Sequence, residues 1–415
     1  LETAWNGQSN PTGPGGDDNG HGTHVATLAG GANHQGFEGV APDARFLLVK
    51  TDLINTDRAV QWIFNQAGTT PCVVNLSLGH HFGAHDGTTL EEQLHESLVG
   101  RGKLIVISAG NERTDKIHIG GRFVPDETQT IGFRILRQPP PGSPFAAITL
   151  WYDQQDDFDI SIVSPSGQSF DVPALGRIAT LSSSQLDVEL GRSTHNGPAP
   201  SVKVQITFNY STPLVGNQLL NGWALRLKCA SAAIGRIDGW FNNSGFGEFM
   251  PHPLVELTRT IGISATGRGC LAVASHVSSR DWESDAGAQV DNNVLVDRIS
   301  PFSSQGPTRD GRQKPEISAP GQYLTAGLAE SSELASVDER ADTTKRLLSI
   351  EGTSMSAPIA TGAIALMLQK RPTLTTLAAE RALAESAIVD GHTSSVWNPS
   401  YGHGKLDLSG ALNEV

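Results

Sequence analysis

Three polar residues of this chain lie in glycine-framed segments where hydrolytic chemistry could be built. His21 sits in Asn19-Gly20-His21-Gly22-Thr23-His24-Val25-Ala26, just ahead of a helix-like stretch. A histidine at a helix start, beside backbone that glycine allows to approach closely, can serve as a general base. Asn111 follows Ser108-Ala109-Gly110 at the end of an apolar run, and an asparagine amide can donate a hydrogen bond to a developing oxyanion. Ser354, in Gly352-Thr353-Ser354-Met355-Ser356-Ala357-Pro358, opens a long stretch rich in Ala, Ile, Leu and Met. Its hydroxyl there lies in the positive field of a helix N-terminus, and its own N–H has no helical acceptor. Each residue alone reads as structural: a hydrogen-bonded histidine, a turn asparagine, a helix-capping serine. Three such motifs, each on the expected element, rarely coincide by chance, and together they favour a functional site.

The elements that must position them follow from apolar patterning. Phe46–Val49, Val73–Leu76, Leu104–Ile107 and Leu271–Ala274 read as buried strands. Asp57–Ala67, Leu90–Gly100, Ser354–Gln369 and Thr375–Ala387 read as helices. Alternating strand and helix predicts a parallel sheet covered on both faces, with its sites at the C-terminal strand ends. From about 122 to 250 the period changes to two, as in Asp159–Ile162, Val202–Phe208 and Ala224–Lys228. Turn signals punctuate that stretch at Pro139–Gly142, Ser164–Gly167 and Asn196–Pro198. It reads as an antiparallel β-sandwich inserted into an α/β domain.

Composition excludes several classes. At 415 residues, two or three domains with a large core are expected. Charged residues make up only 18%, with 45 Gly, which disfavours disorder and coiled coils. A net charge of −13 argues against nucleic acid and anionic membranes as partners. No apolar stretch has the roughly 20 residues of a spanning helix. Three cysteines (Cys72, Cys229, Cys270) neither make a disulfide scaffold nor match zinc spacing; Cys229 and Cys270 read as core thiols. The chain opens Leu1-Glu2-Thr3, without Met, and is read as a processed or trimmed product.

The three motifs together resemble the hallmark segments of the subtilisin-like serine peptidases (subtilases, peptidase family S8). Gly39-Val40-Ala41-Pro42-Asp43-Ala44, Asn75-Leu76-Ser77-Leu78-Gly79, Phe302–Gly311, Lys314–Gly321 and Tyr401–Asp407 add to the likeness. The resemblance covers about 1–120 and 255–415. The inserted part, with Trp151-Tyr152-Asp153, Asp159–Gly167 and Gly239-Trp240, is similar to the jelly-roll insertion of Csp-like bacterial subtilases. The implied fold is α/β: a doubly wound, mostly parallel sheet flanked by helices and interrupted by a jelly-roll-like antiparallel sandwich. Its domains would be 1–121, 122–252 and 253–415, the first and last forming one catalytic domain. The resemblance makes Ser354 the nucleophile, His21 its general base, and Asn111 with the Ser354 N–H the oxyanion hole. It makes Ser77-Leu78-Gly79 an edge that pairs with extended substrate, and Ser108, Ala109 and Gly110 the lining of the pocket before the scissile bond. It also implies a secreted or extracytoplasmic peptidase made with a propeptide, needing no cofactor for chemistry, with room for structural calcium.

A third triad member is not visible. A carboxylate must orient His21, and the family draws it from an Asp-Thr-Gly or Asp-Ser-Gly strand that the 20 residues ahead of His21 do not contain. Asp17 and Asp18 are the carboxylates just upstream. The expectation is that a cleaved N-terminal fragment or propeptide, or a segment that this sequence omits, carries the Asp. The alternative is an inactive pseudopeptidase, or a peptide- or partner-binding protein. Weaker signals read as structural. His80, His81 and His85 are expected in a solvated loop, as is the acidic run Asp153, Asp156, Asp157 and Asp159, with calcium as its alternative. His24 and Ser356 are expected to pack.

Overall fold

Apolar runs become strands where they find ladder partners. The computed structural model describes residues 16–34, 36–51, 55–136, 145–182, 186–195, 200–210, 219–242, 247–330, 332–337 and 340–415. In chain order the elements begin with α1 (His21–Gly30), α2 (Thr56–Ala67), β1 (Cys72–Leu76), α3 (Leu90–Leu98) and β2 (Lys103–Ser108). Then come β3 (His118–Arg122), β4 (Thr128–Leu136), β5 (Phe145–Asp153), β6 (Asp157–Val163), β7 (Ser169–Asp171) and β8 (Ile178–Ser182). They are followed by β9 (Leu186–His195), β10 (Ser201–Tyr210), β11 (Leu219–Ser231), β12 (Arg236–Phe241) and β13 (Gly247–Phe249). The last part holds β14 (Leu271–His276), β15 (Asp281–Ser284), β16 (Gly287–Val290), β17 (Ile317–Pro320), β18 (Leu324–Gly327) and β19 (Leu347–Ile350). The helices α4 (Thr353–Lys370), α5 (Thr376–Ser386) and α6 (Leu408–Asn413) close the chain. Two compact units result, one of Leu1–Gly79, Thr89–Asn111 and Ser264–Val415, the other of His80–Thr88 and Glu112–Ile263.

The first unit is built on a parallel sheet in the order β1-β2-β14-β17. Leu104, Val106, Leu271, Val273, Ile317 and Ala319 pack with Ala357, Ala360, Ile364, Met367 and Leu368 of α4. Ile105 and Ile107, pointing to the opposite face, are also fully buried, as continuous apolar runs in a doubly covered sheet require. Helix α4 is buried around most of its surface, which is why its sequence lacks a polar stripe. A capping box on Thr89 and Glu92 starts α3, and Thr375 caps α5.

One expected strand is absent. Phe46–Val49 has no ladder partner among the described residues, and Leu48 and Val49 are exposed. Strand geometry is a property of a pair, and an apolar run alone does not create it. The sheet ends at β1, whose partner among the described residues is β2.

The second unit holds two antiparallel sheets, ordered β3-β12-β5-β10-β9-β8 and β13-β4-β11-β6-β7. Their inner faces share one core. Ile148, Leu150, Val204 and Ile206 come from the first sheet; Ile131, Phe133, Ile160, Ile162, Leu225 and Leu227 come from the second. Phe133 meets Phe208 across it edge-on at 5.7 Å. The turn at Ser164–Gly167 forms with a Gly167 N–H to Ser164 O bond of 2.9 Å; Pro139–Gly142 and Asn196–Pro198 lie outside the described residues.

Two loop expectations are corrected here. His81 and His85 are buried, at 2% and 1% exposure. His85 stacks on Trp240 at 4.0 Å, His118 stacks on the same indole at 4.7 Å, and His81 stacks on His85 at 5.1 Å. Flat aromatic surface, not solvent, surrounds these rings. Asp156 is likewise buried. Its carboxylate accepts from the N–H groups of Ala233, Ile234 and Gly235 at 2.7–2.8 Å, an anchor for the turn before β12. Asp157 and Asp159 of the same run are exposed, and among the described residues no three His, Cys, Asp or Glu side chains cluster as a metal site.

Candidate active site

Helix α4 starts at a sharp turn. Gly352, the residue before it, has φ +149°, a conformation that side-chain-bearing residues rarely adopt. Ser354 is the second helical residue and half-buried. Its Oγ donates to the Ser77 carbonyl at 3.4 Å, a long resting contact.

Asn111 is held by its oxygen. The Thr353 N–H and the Thr353 hydroxyl both donate to Asn111 Oδ1 at 2.9 Å, and the Gly110 N–H donates to Thr353 Oγ1 at 3.1 Å. With Oδ1 doubly occupied, the amide nitrogen is the end left over. A Cβ placed on Gly352 would lie 3.5 Å from Asn111 Nδ2, so the exposed Nδ2 faces the turn that leads into Ser354. Thr353 lies within the Ser354 motif, but no sequence signal shows that its hydroxyl aims an amide 242 residues earlier.

His21 begins α1. Val25 and Leu28 of that helix pack with Met355 in the first turn of α4, which brings the two helix starts into one neighbourhood. Burial lowers the His21 pKa, and the nearby Asp17 charge only partly offsets this, so the ring is neutral and able to accept a proton at neutral pH. Among the described residues no hydrogen bond joins the His21 ring to Ser354 or to a carboxylate. Asp17 is occupied elsewhere: its two oxygens accept from the N–H groups of Gly20 at 2.9 Å and Thr23 at 2.7 Å. Burial would raise its pKa, but these bonds together hold it below the ordinary carboxylate value. Asp18 pairs with Lys50 at 2.8 Å in solvent. His24 packs as expected: its Nε2–H serves the carbonyls of Leu324 and Leu348, and burial drives its pKa down to about 4.

The remaining expected residues sit at the C-terminal ends of β1 and β2. Ser77, Leu78 and Gly79 continue from β1, and the backbone groups of Leu78 and Gly79 have no hydrogen-bond partner among the described residues. Ser108 and Ala109 are buried, and Gly110 turns at φ +113°. Hydrogen bonds thus gather Ser77, Ser354, Thr353, Gly110 and Asn111; helix α1, which His21 opens, packs on α4 through Val25 and Leu28.

Comparison with known proteins bears on the family and the fold. A family model described as the Subtilase family matches residues 2–187 and 232–404. The serine protease/ABC transporter B family protein tagD of Dictyostelium discoideum is 48% identical over 75 residues, which is 17% of this chain and 4% of that protein. Serine protease AprX of Bacillus subtilis is 37% identical over 92 residues, 21% of each chain. The alignments with these relatives therefore span a small part of their length. The structure of the Clostridium perfringens CspB protease superposes with a TM-score of 0.74 at 20% identity, covering 95% of this chain and 80% of that one. At that identity the likeness is one of fold.

Proposed function

The chain belongs to the subtilase family, and from that premise we propose that it is a serine endopeptidase acting on extended polypeptide. The observation that carries the proposal is the capture of Asn111 Oδ1 by Thr353, which leaves Nδ2 aimed at the turn before Ser354. In this reading Ser354 Oγ attacks the substrate carbonyl carbon as neutral His21 takes its proton. Negative charge developing on the carbonyl oxygen receives the Asn111 Nδ2–H and the Ser354 N–H. The C–N bond breaks as His21 returns the proton to the leaving amine, giving an acyl-enzyme on Ser354. Water then repeats the sequence in reverse roles. The unpartnered backbone of Leu78 and Gly79 would pair with the substrate strand, and Ser108–Gly110 would line the pocket before the scissile bond.

Asp17 is engaged by the start of α1, so the reading needs a carboxylate other than Asp17 to orient His21. Losing that carboxylate altogether costs about 3 × 10⁴ in kcat, a figure measured on subtilisin itself. We further assign the chain to a secreted setting and a jelly-roll-like connectivity to the sandwich. A second reading, a peptide-binding pseudopeptidase, is favoured by one observation: among the described residues no carboxylate bonds the His21 ring.

The test is fluorophosphonate labelling of the purified chain with Ser354→Ala as control. Labelling confined to Ser354 is expected. A folded chain that stays unlabelled, even with its N-terminal fragment added back, would favour the second reading.

A further inference from the structure

The α-helix bonds each C=O to the N–H four residues on. For Ser354 that residue is Pro358, which has no N–H to give. The Ser354 carbonyl is therefore orphaned at the start of a buried helix, where an unmet acceptor is costly. In this structure Ser77 Oγ donates to it at 2.7 Å. The direction of that bond is forced. Asn75 Nδ2 donates to Ser77 Oγ at 3.0 Å, so the single Ser77 hydroxyl proton is free to point at Ser354. Asn75 Oδ1 in turn lies 2.9 Å from Thr361 Oγ1, which divides its one proton between Asn75 and the Ala357 carbonyl, also at 2.9 Å. Thr361 lies two turns down the same helix. The hydrogen bonds thus run from α4 to the end of β1 and back to the first turn of α4.

We propose that Ser77, held by Asn75, is a positioning residue: its hydroxyl replaces the helix bond that Pro358 deletes and thereby fixes the rotation of Ser354 about its Cα–C bond. That rotation sets where the Ser354 side chain leaves the backbone. Ser77 thus acts on the nucleophile through its side chain, a role separate from any backbone pairing with substrate. The inference rests on the peptidase reading, since it concerns the same serine.

The proline supplies its own control. Pro358→Ala restores an N–H to the Ser354 carbonyl, so it should make the Ser77 hydroxyl redundant. The experiment is a double-mutant cycle with Ser77→Ala and Pro358→Ala, read by the rate of fluorophosphonate labelling at Ser354. Loss of one buried hydrogen bond predicts a drop of about ten-fold for Ser77→Ala in the native background. The concentration for half-maximal rate should not change. In the Pro358→Ala background the same substitution should cost less than about two-fold. Equal losses in both backgrounds, or no loss in the first, would overturn the proposal. If the chain labels nowhere, even with an N-terminal segment that carries the family's Asp strand added back, the peptidase reading fails by itself, and the cycle is then read by thermal midpoint. There Ser77→Ala should lower the midpoint in the native background and not in the Pro358→Ala background; additive shifts would refute the bond's role.

Discussion

Replacing Thr353 with Val tests whether the Asn111 amide is aimed or merely present. Val keeps the volume and β-branching of Thr, and Thr353 is 1% exposed, so packing should survive. The backbone bond from residue 353 to Asn111 Oδ1 also survives. Two interactions are lost: the hydroxyl bond to Oδ1 and the acceptor for the Gly110 N–H. Removing an oxyanion donor outright costs about 2.7–4 kcal/mol, as measured on subtilisin's own asparagine. With one of two anchors left, about half of that is expected, or a fall in kcat of roughly ten- to thirty-fold. Stability should fall by about 1–3 kcal/mol through the stranded Gly110 N–H. The assay is hydrolysis of a chromogenic peptide, or fluorophosphonate labelling rate, for Thr353→Val, Asn111→Ala and the double variant. The double variant should match Asn111→Ala, because Thr353 has nothing left to aim. A Thr353→Val enzyme at full kcat beside a crippled Asn111→Ala, or additive losses in the pair, would refute the reasoning.

The Asp17 charge raises the His21 pKa, so Asp17→Asn should move the acid limb of the labelling-rate profile to lower pH and weaken the start of α1 by about 1 kcal/mol. An acid limb that stays or moves up would contradict it. His24 falls from an ordinary 6.5 to about 4 in the folded state. The unfolded chain therefore binds the extra proton between those values, and the stability linked to His24 is complete above about pH 6.5 and lost as pH falls toward 4. Its share is about 3 kcal/mol at most, so thermal midpoints of the native chain should fall in that window. They should fall less for His24→Gln, and an unchanged slope would sink the assignment.

Local signals carried most of the frame. The apolar runs at Val73–Leu76, Leu104–Ile107 and Leu271–Ala274 became β1, β2 and β14, and the stretch after Gly352 became α4, because burial on both faces leaves continuous apolar sequence. The glycines around His21, Asn111 and Ser354 were legible because tight turns need them. What failed was what depends on partners far away in sequence. Phe46–Val49 has strand composition but no described neighbour to pair with. His81 and His85 sit in a glycine-rich segment that looks solvated, yet Trp240 roofs His85 from 155 positions away. The hydroxyls of Ser77 and Thr353 read as ordinary motif filler. Their partners lie 277 and 242 positions off, and no spacing rule reaches that far.

The burial of α4 ties chemistry to cooperativity. Ala357, Ala360, Ile364 and Met367 sit at the centre of the first unit's core, so amides along that helix should exchange with solvent only when the whole unit opens. The proposed nucleophile would then sit on the part of the unit slowest to exchange. In a working peptidase, motion that admits substrate or releases product would arise in the surrounding loops, and a change that loosens the core of α4 is expected to lower turnover before it lowers structure.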